Sequence, residues 1–248
     1  MWLLLHGFSG SPESWNGVVE QSALGTAKIP FLAGHGCDWQ SRVVDSFEGE
    51  VTRLVSLLSG AERPRLLCGY SLGARLALGL LNREPKLFDA AVLIGVHPGL
   101  HEQAARAERR ETDARRARSL REEGLGAFVA AWERLPLFAS QRSLPAEDLA
   151  VQRRTRLAQD PEGLARSLEL LGLAEMPDYG AVIESLEVPI TLMTGSLDTK
   201  FSRIAEELAA KNVHVEAELV DGVGHNLLLE APGVVAATLK RVEEMARR

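Results

Sequence analysis

Cysteine is scarce: Cys37 and Cys68 are the only two in a chain of 248 residues. Two are too few for a disulfide scaffold, and Cys68 lies in an apolar run as a small core residue would. The sequence therefore points to a reducing compartment and a cytoplasmic protein. No apolar run approaches the roughly 20 residues that cross a membrane as a helix. Met1-Trp2-Leu3-Leu4-Leu5 is apolar, but it lacks a basic leader, is too short for a signal segment and runs straight into His6-Gly7. A net positive charge is lacking too. With a net charge of −6, there is no reason to expect nucleic acid or an anionic membrane as a partner. Internal repeats and low-complexity tracts are absent, and His97, His101 and His214 fall at no metal-ligand spacing, so no metal is expected.

What is present suits one large α/β domain with an inserted subdomain, since 46% of the residues are apolar. Short apolar runs that fit buried parallel strands recur at 2–5, 29–32, 65–68, 90–96, 189–194 and 213–220. Helical periodicity occupies 12–24, 41–58, 72–82, 200–210 and 232–246. Such alternation predicts a parallel sheet with helices on both faces, and a ligand site beyond the carboxyl ends of its strands. From 100 to about 176 the alternation stops. That stretch reads as amphipathic helices separated by Gly124, Pro136, Pro145 and Pro161, the arginine- and glutamate-rich part at 102–123 being a solvated helix. An all-helical insertion there would lie over the strand ends as a lid.

Gly69-Tyr70-Ser71-Leu72-Gly73 has the form G-x-S-x-G, with an apolar run before it and a helical pattern behind. By itself the pattern also describes an ordinary glycine-bounded turn. Between strand and helix it is an elbow that lifts the Ser71 hydroxyl clear of the sheet and aims the N–H groups of a helix N-terminus at the same spot. A serine that reacts needs an imidazole and a carboxylate. His225 follows the last strand candidate in a glycine-opened loop. Asp198 follows the strand before it, so the order Ser71, Asp198, His225 fits this kind of sheet. Asp221 is the competing acid, and beside Gly222 it is better suited to forming a turn. Backbone donors for an oxyanion would be the N–H of Leu72, after the serine, and that of Phe8, in the loop after the first strand. His6 and His35 read as braces of that region rather than as reacting groups.

Several further stretches belong with these: His6-Gly7-Phe8-Ser9-Gly10 with Trp15, Ala74-Arg75, His97-Pro98-Gly99-Leu100, and Arg106-Ala107-Glu108-Arg109. Trp132 with Pro136-Leu137-Phe138-Ala139-Ser140, and Asp198-Thr199-Lys200-Phe201 with Gly224-His225-Asn226, complete the set. Together they resemble the α/β-hydrolase superfamily over nearly the whole chain, and within it the 2-succinyl-6-hydroxy-2,4-cyclohexadiene-1-carboxylate synthases, pyruvate-eliminating lyases of menaquinone biosynthesis. The resemblance implies the α/β-hydrolase fold, a mostly parallel sheet of about six strands flanked by helices, with an all-helical cap after the fourth strand. The core would be 1–99 and 177–248 and the cap 100–176.

The same resemblance implies a cofactor-free lyase in which Ser71, held by His225 and Asp198, acts as a base. Arg75, Arg109 and Arg156 would bind carboxylates, to which planar guanidinium forks are suited, while Tyr70, Trp132 and Phe138 would line the pocket. For each arginine a plain surface ion pair stays open. The partner is then a small-molecule carboxylate, with room for a homo-oligomer. The chain departs from the family pattern at Ala33, Ala74 and Leu197, and one or two strands that open the sheet in most relatives have no counterpart before residue 2, which leaves an edge where they would have paired. The same machinery would also serve a serine carboxylesterase or carbon–carbon bond hydrolase. A catalytically silent binding module is the third reading, and a complete triad argues against it.

Overall fold

Six strands form the sheet: β1 (Trp2–Leu5), β2 (Ala27–Lys28), β3 (Leu66–Tyr70), β4 (Ala90–Ile94), β5 (Ile190–Gly195) and β6 (Val215–Val220). These come from a computed structural model that describes residues 1–247. The strands pair in parallel in the order β2-β1-β3-β4-β5-β6, with Leu4 beside Cys68 and Gly69 beside Leu93 in the central ladders. A parallel sheet is covered on both faces at its centre, so β1, β3, β4 and β5 are buried at every position, while the edge strand β6 alternates with Glu216 and Glu218. The period of two still sorts the side chains. Leu3, Leu5 and Leu67 belong to one core, and Trp2, Leu4, Leu66 and Cys68 to the other.

The helices are α1 (Asn16–Ser22), α2 (Phe47–Ser56), α3 (Leu72–Arg83), α4 (Gln103–Glu122), α5 (Gly124–Trp132), α6 (Ala146–Leu157), α7 (Pro161–Leu171), α8 (Gly180–Ser185), α9 (Thr199–Ala209), α10 (Leu227–Glu230) and α11 (Pro232–Ala246). Helices α2, α3 and α9 supply Val51, Leu76 and Leu208 to the first core, while α1 and α11 supply Val18 and Leu239 to the second. None of these helices is long and apolar enough to cross a membrane.

The second strand departs from expectation. It is the pair Ala27–Lys28 at the sheet edge, and 29–32 is irregular. Pro30 has no N–H to give to a ladder. The groups on either side are committed to side chains: the Leu32 N–H donates to His6 Nε2 at 3.2 Å and the Phe31 carbonyl accepts from Arg53 at 3.0 Å. A two-residue edge offers little template for a further strand. The first two helical segments also start later than their periodicity suggests, because each opens with a tight 3₁₀ turn, Pro12–Trp15 and Trp39–Arg42. Helix α2 then begins only after Ser46, whose hydroxyl caps it by accepting the Gly49 N–H at 3.1 Å.

Between β4 and β5 the chain is helical, as expected of the cap. Ala117 and Leu120 of α4, Phe128 and Val129 of α5, and Leu164 and Leu168 of α7 make a small apolar core of its own. Beyond that core α4 buries Asp113 and exposes much of the rest, and Arg121 ties it to α7 through Glu162 and Glu169 at 2.7 and 2.5 Å.

Candidate active site

Ser71 is the single residue between β3 and α3, at φ 53° and ψ −106°. For a residue with a Cβ this backbone costs about 1–3 kcal/mol, so its surroundings must hold it. The Ser71 N–H donates to the Ile94 carbonyl at 2.9 Å and its own carbonyl accepts the Arg75 N–H at 3.1 Å. The flanking glycines are a steric requirement. A Cβ at Gly69 would overlap the Gly73 carbonyl, and one at Gly73 would overlap the carbonyl of Leu5 in the neighbouring strand. Helix α3 can lie this close to β1 and β3 only because both positions lack a side chain.

The fold brings His225, 154 residues further along, to 3.1 Å from Ser71 Oγ through Nε2. Its Nδ1 lies 2.6 Å from Asp198 Oδ2. Both side chains are buried. A carboxylate against Nδ1 keeps the proton on that nitrogen and leaves Nε2 free to accept one from the serine. The ring is wedged between Phe201 and Tyr70, with centroids at 4.6 and 5.5 Å, and Gly95 leaves room for it where a Cβ would come within 2.7 Å of its Cε1. Asp221 takes no part: its carboxylate accepts from the Ser196 hydroxyl at 3.1 Å, and that hydroxyl accepts the Gly222 N–H at 2.9 Å. It closes a turn, as the sequence suggested.

The N–H groups of Phe8 and Leu72 donate to no group among the described residues. The loop carrying Phe8 is held by two buried imidazoles. His35 Nε2 accepts the Ser9 N–H at 3.1 Å, and its Nδ1 faces the Ala33 carbonyl at 3.1 Å. His6 Nε2 accepts from Leu32, and its Nδ1 donates to the Gly7 carbonyl at 2.8 Å. Each ring thus uses one nitrogen as acceptor and one as donor, the pattern of neutral imidazole. Burial pushes His6 down to about 4 and His35 in the same direction.

A pH dependence follows from these two rings. In the unfolded chain they take up protons below their ordinary pKa of 6.5, while in the native protein His6 stays neutral to about 4, so the unfolded state binds more protons across that window. Stability is complete above pH 6.5 and falls towards pH 4, with His6 alone contributing on the order of 3 kcal/mol. Urea midpoints measured between pH 7 and 4 should decline steadily, and a flat profile would contradict this account of the loop.

Ser71 and His225 open on a cavity of about 670 Å³ under the cap. Phe8, Tyr70, Leu72, Arg75, Arg109, Trp132, Phe138 and Arg156 all line it, and Asp198 stands behind His225. The three expected arginines differ in kind. Arg75 meets no carboxylate among the described residues; its NH1 donates to the Leu171 carbonyl at 2.8 Å. Burial, and then the charge of Arg109, push it down to about 9, which leaves it charged at neutral pH. Arg109 pairs with buried Asp113 at 2.7 Å. Arg156 pairs with Glu133 at 3.2 Å, donates to Gln152 at 2.5 Å and lies 5.2 Å from the Phe138 centroid. Burial pushes the Tyr70 phenol up, so it remains a protonated donor.

The sequence reading missed several lining residues. Arg116 shares Asp113 with Arg109 at 3.1 Å and stands 5.1 Å from the Trp132 centroid. Its position two turns after Arg109 on the same helix face was a usable signal. Gln152, one turn before Arg156, accepts from Asn226 Nδ2 at 3.2 Å and so joins the cap to the residue beside His225. His97 also lines the cavity, its Nδ1 accepting the Gly99 N–H at 3.2 Å. Among the described residues no group of three or more His, Cys, Asp or Glu side chains is placed to hold a metal ion. Four guanidinium groups at one cavity make a site for an anion.

Comparison with known proteins agrees with this geometry. The family described as alpha/beta hydrolase matches residues 2–238. The chain belongs to the α/β hydrolase family. Within that family it is 34% identical over 244 residues to the 2-succinyl-6-hydroxy-2,4-cyclohexadiene-1-carboxylate synthase of Enterobacter sp. (strain 638), covering 97% of this chain and 91% of the relative. The enzyme of the same name from Salmonella typhimurium is 35% identical over 242 residues, covering 97% and 92%. Among solved structures, MenH from S. aureus superposes with a TM-score of 0.93 at 29% identity, covering 100% of this chain and 94% of that one. The chain is thus an α/β hydrolase along its length, with the elbow serine, the histidine loop and the cap within the matched region.

Proposed function

We propose that the protein is a 2-succinyl-6-hydroxy-2,4-cyclohexadiene-1-carboxylate synthase, a cofactor-free lyase that eliminates pyruvate from a cyclohexene polycarboxylate. The observation that carries this reading is the juxtaposition, in one cavity, of the Asp198–His225–Ser71 hydrogen-bonded chain with the guanidinium of Arg75, which pairs with no carboxylate among the described residues. The relatives named for this reaction support it.

The chemistry follows from the product's own structure. A proton on the ring carbon that bears the succinyl ketone is acidified by that carbonyl. His225 draws the Ser71 proton, and Ser71 Oγ takes the ring proton. The electron pair left on the ring moves through it, forms the diene and breaks the carbon–oxygen bond to the departing group. That group leaves as an enolate, takes on carbon the proton that His225 holds and becomes pyruvate, so the enzyme ends as it began. Charge developing on the ketone oxygen meets the N–H groups of Phe8 and Leu72 at the positive end of α3. Serine is a base here, and no acyl-enzyme forms. Arg75, Arg109 and Arg156 hold the carboxylates, with Tyr70, Trp132 and Phe138 shaping the walls.

The substrate is the only partner this reading requires. We place the reaction in the cytoplasm, a reading supported by free thiols at both Cys37 and Cys68. Supplying the enolpyruvyl cyclohexene substrate and following pyruvate with lactate dehydrogenase tests the proposal. Saturable pyruvate release is the expected result. No release above the uncatalysed rate, together with a burst from p-nitrophenyl acetate, would move the protein to the esterases.

A further inference from the structure

The loop that carries His225 has little structure of its own. It leaves β6 through Asp221-Gly222-Val223-Gly224, with Gly222 at φ 73°, and enters the four-residue helix α10. An imidazole that must meet Ser71 at 3.1 Å and Asp198 at 2.6 Å together tolerates little drift of its backbone.

Glu230, the last residue of α10, reaches back across this loop. Its Oε2 accepts the Gly224 N–H at 2.7 Å and its Oε1 accepts the Asn226 N–H at 3.2 Å. These are the two peptide donors that flank His225. The cap closes the loop from the other side: Ser140 is pressed against Gly224, where a Cβ would overlap its hydroxyl, and Gln152 accepts from the Asn226 amide. Only a carboxylate supplies two oxygen acceptors in one plane. An amide at this position would set its NH₂ against one of the two N–H groups.

We propose that Glu230 is a positioning residue for His225: by bridging the N–H groups of Gly224 and Asn226 it sets the imidazole between Ser71 and Asp198. The proposal rests on the reading that these three side chains carry the reaction, and it adds a fourth residue that does not touch the substrate.

Two variants and two readouts test it. Glu230→Gln keeps size and removes one acceptor, whereas Glu230→Asp keeps the charge and shortens the reach. The first readout is the low-field proton resonance of the His225–Asp198 hydrogen bond, which needs no substrate. The second is the separation of kcat from KM for pyruvate release. For folded Glu230→Gln, judged by circular dichroism, kcat should fall by about 10- to 100-fold with KM changed by less than about twofold, and the resonance should broaden or vanish. Glu230→Asp should fall between this variant and the wild type. A folded Glu230→Gln with wild-type kcat and resonance would overturn the proposal. So would losses that track unfolding in both variants, which would make Glu230 merely structural. Should the wild-type protein release no pyruvate, the function proposed above fails while the resonance still decides the role of Glu230.

Discussion

Ser71→Ala is expected to lower kcat for pyruvate release by about three to five orders of magnitude, while product affinity measured by calorimetry stays within a few-fold of wild type. The argument is geometric. The hydroxyl is held between His225 Nε2, at 3.1 Å, and the cavity. Without it the imidazole would have to reach the ring carbon itself, yet it is wedged between Phe201 and Tyr70. Binding should survive, because the arginines proposed to hold the carboxylates line other parts of the cavity. The strained turn also survives, since alanine has the same Cβ and the two backbone hydrogen bonds of residue 71 remain. A variant that keeps a rate within tenfold of wild type would remove the serine from the mechanism.

Arg75→Ala is the second large effect, and it should appear as affinity rather than turnover. A half-buried guanidinium that pairs with no carboxylate among the described residues is an unfavourable arrangement for the protein alone and a favourable one for an anionic ligand. Losing a charge-assisted contact of this kind costs about 2–4 kcal/mol, so KM should rise by roughly 30- to 1,000-fold with kcat much less affected. Thermal stability should stay near that of the wild type, because removing the half-buried charge offsets the orphaning of the Leu171 carbonyl that it now satisfies. Arg75→Lys should recover part of the affinity, since it restores charge without the planar fork. Unchanged KM in Arg75→Ala would return this residue to the structural arginines, alongside Arg121, whose partners Glu162 and Glu169 already satisfy it.

The contrast among the arginines shows where reasoning from the chain stops. Arg75 stood out in the sequence because it lies one turn into the helix behind Ser71, whereas Arg109 and Arg156 were hard to tell from the many other arginines of the cap. The structure gives Arg109 and Arg156 carboxylates of their own and leaves Arg75 with a carbonyl. Arg116 was overlooked because the stretch around it holds so many arginines that none stands out. The misplaced second strand has a different cause. Ile29 and Phe31 are strand-like, but the donor and acceptor groups of 29–32 are taken by His6 and Arg53, and no local pattern announces partners that far along the chain.

By itself the amino-acid sequence determined the alternation of strands and helices, the helical break between the fourth and fifth strands, and an elbow whose glycines are required within a few residues of the serine. Those properties come from periodicity and from steric contacts between near neighbours, which short stretches carry in full. Tertiary structure alone decided which groups His6 and His35 grip around the Phe8 loop, that Arg75 meets a carbonyl and pairs with no carboxylate among the described residues, and that Glu230 grips the peptide on each side of the imidazole. Such pairings depend on which strand ends lie side by side and on how the cap settles over them, and these are properties of the whole packed chain.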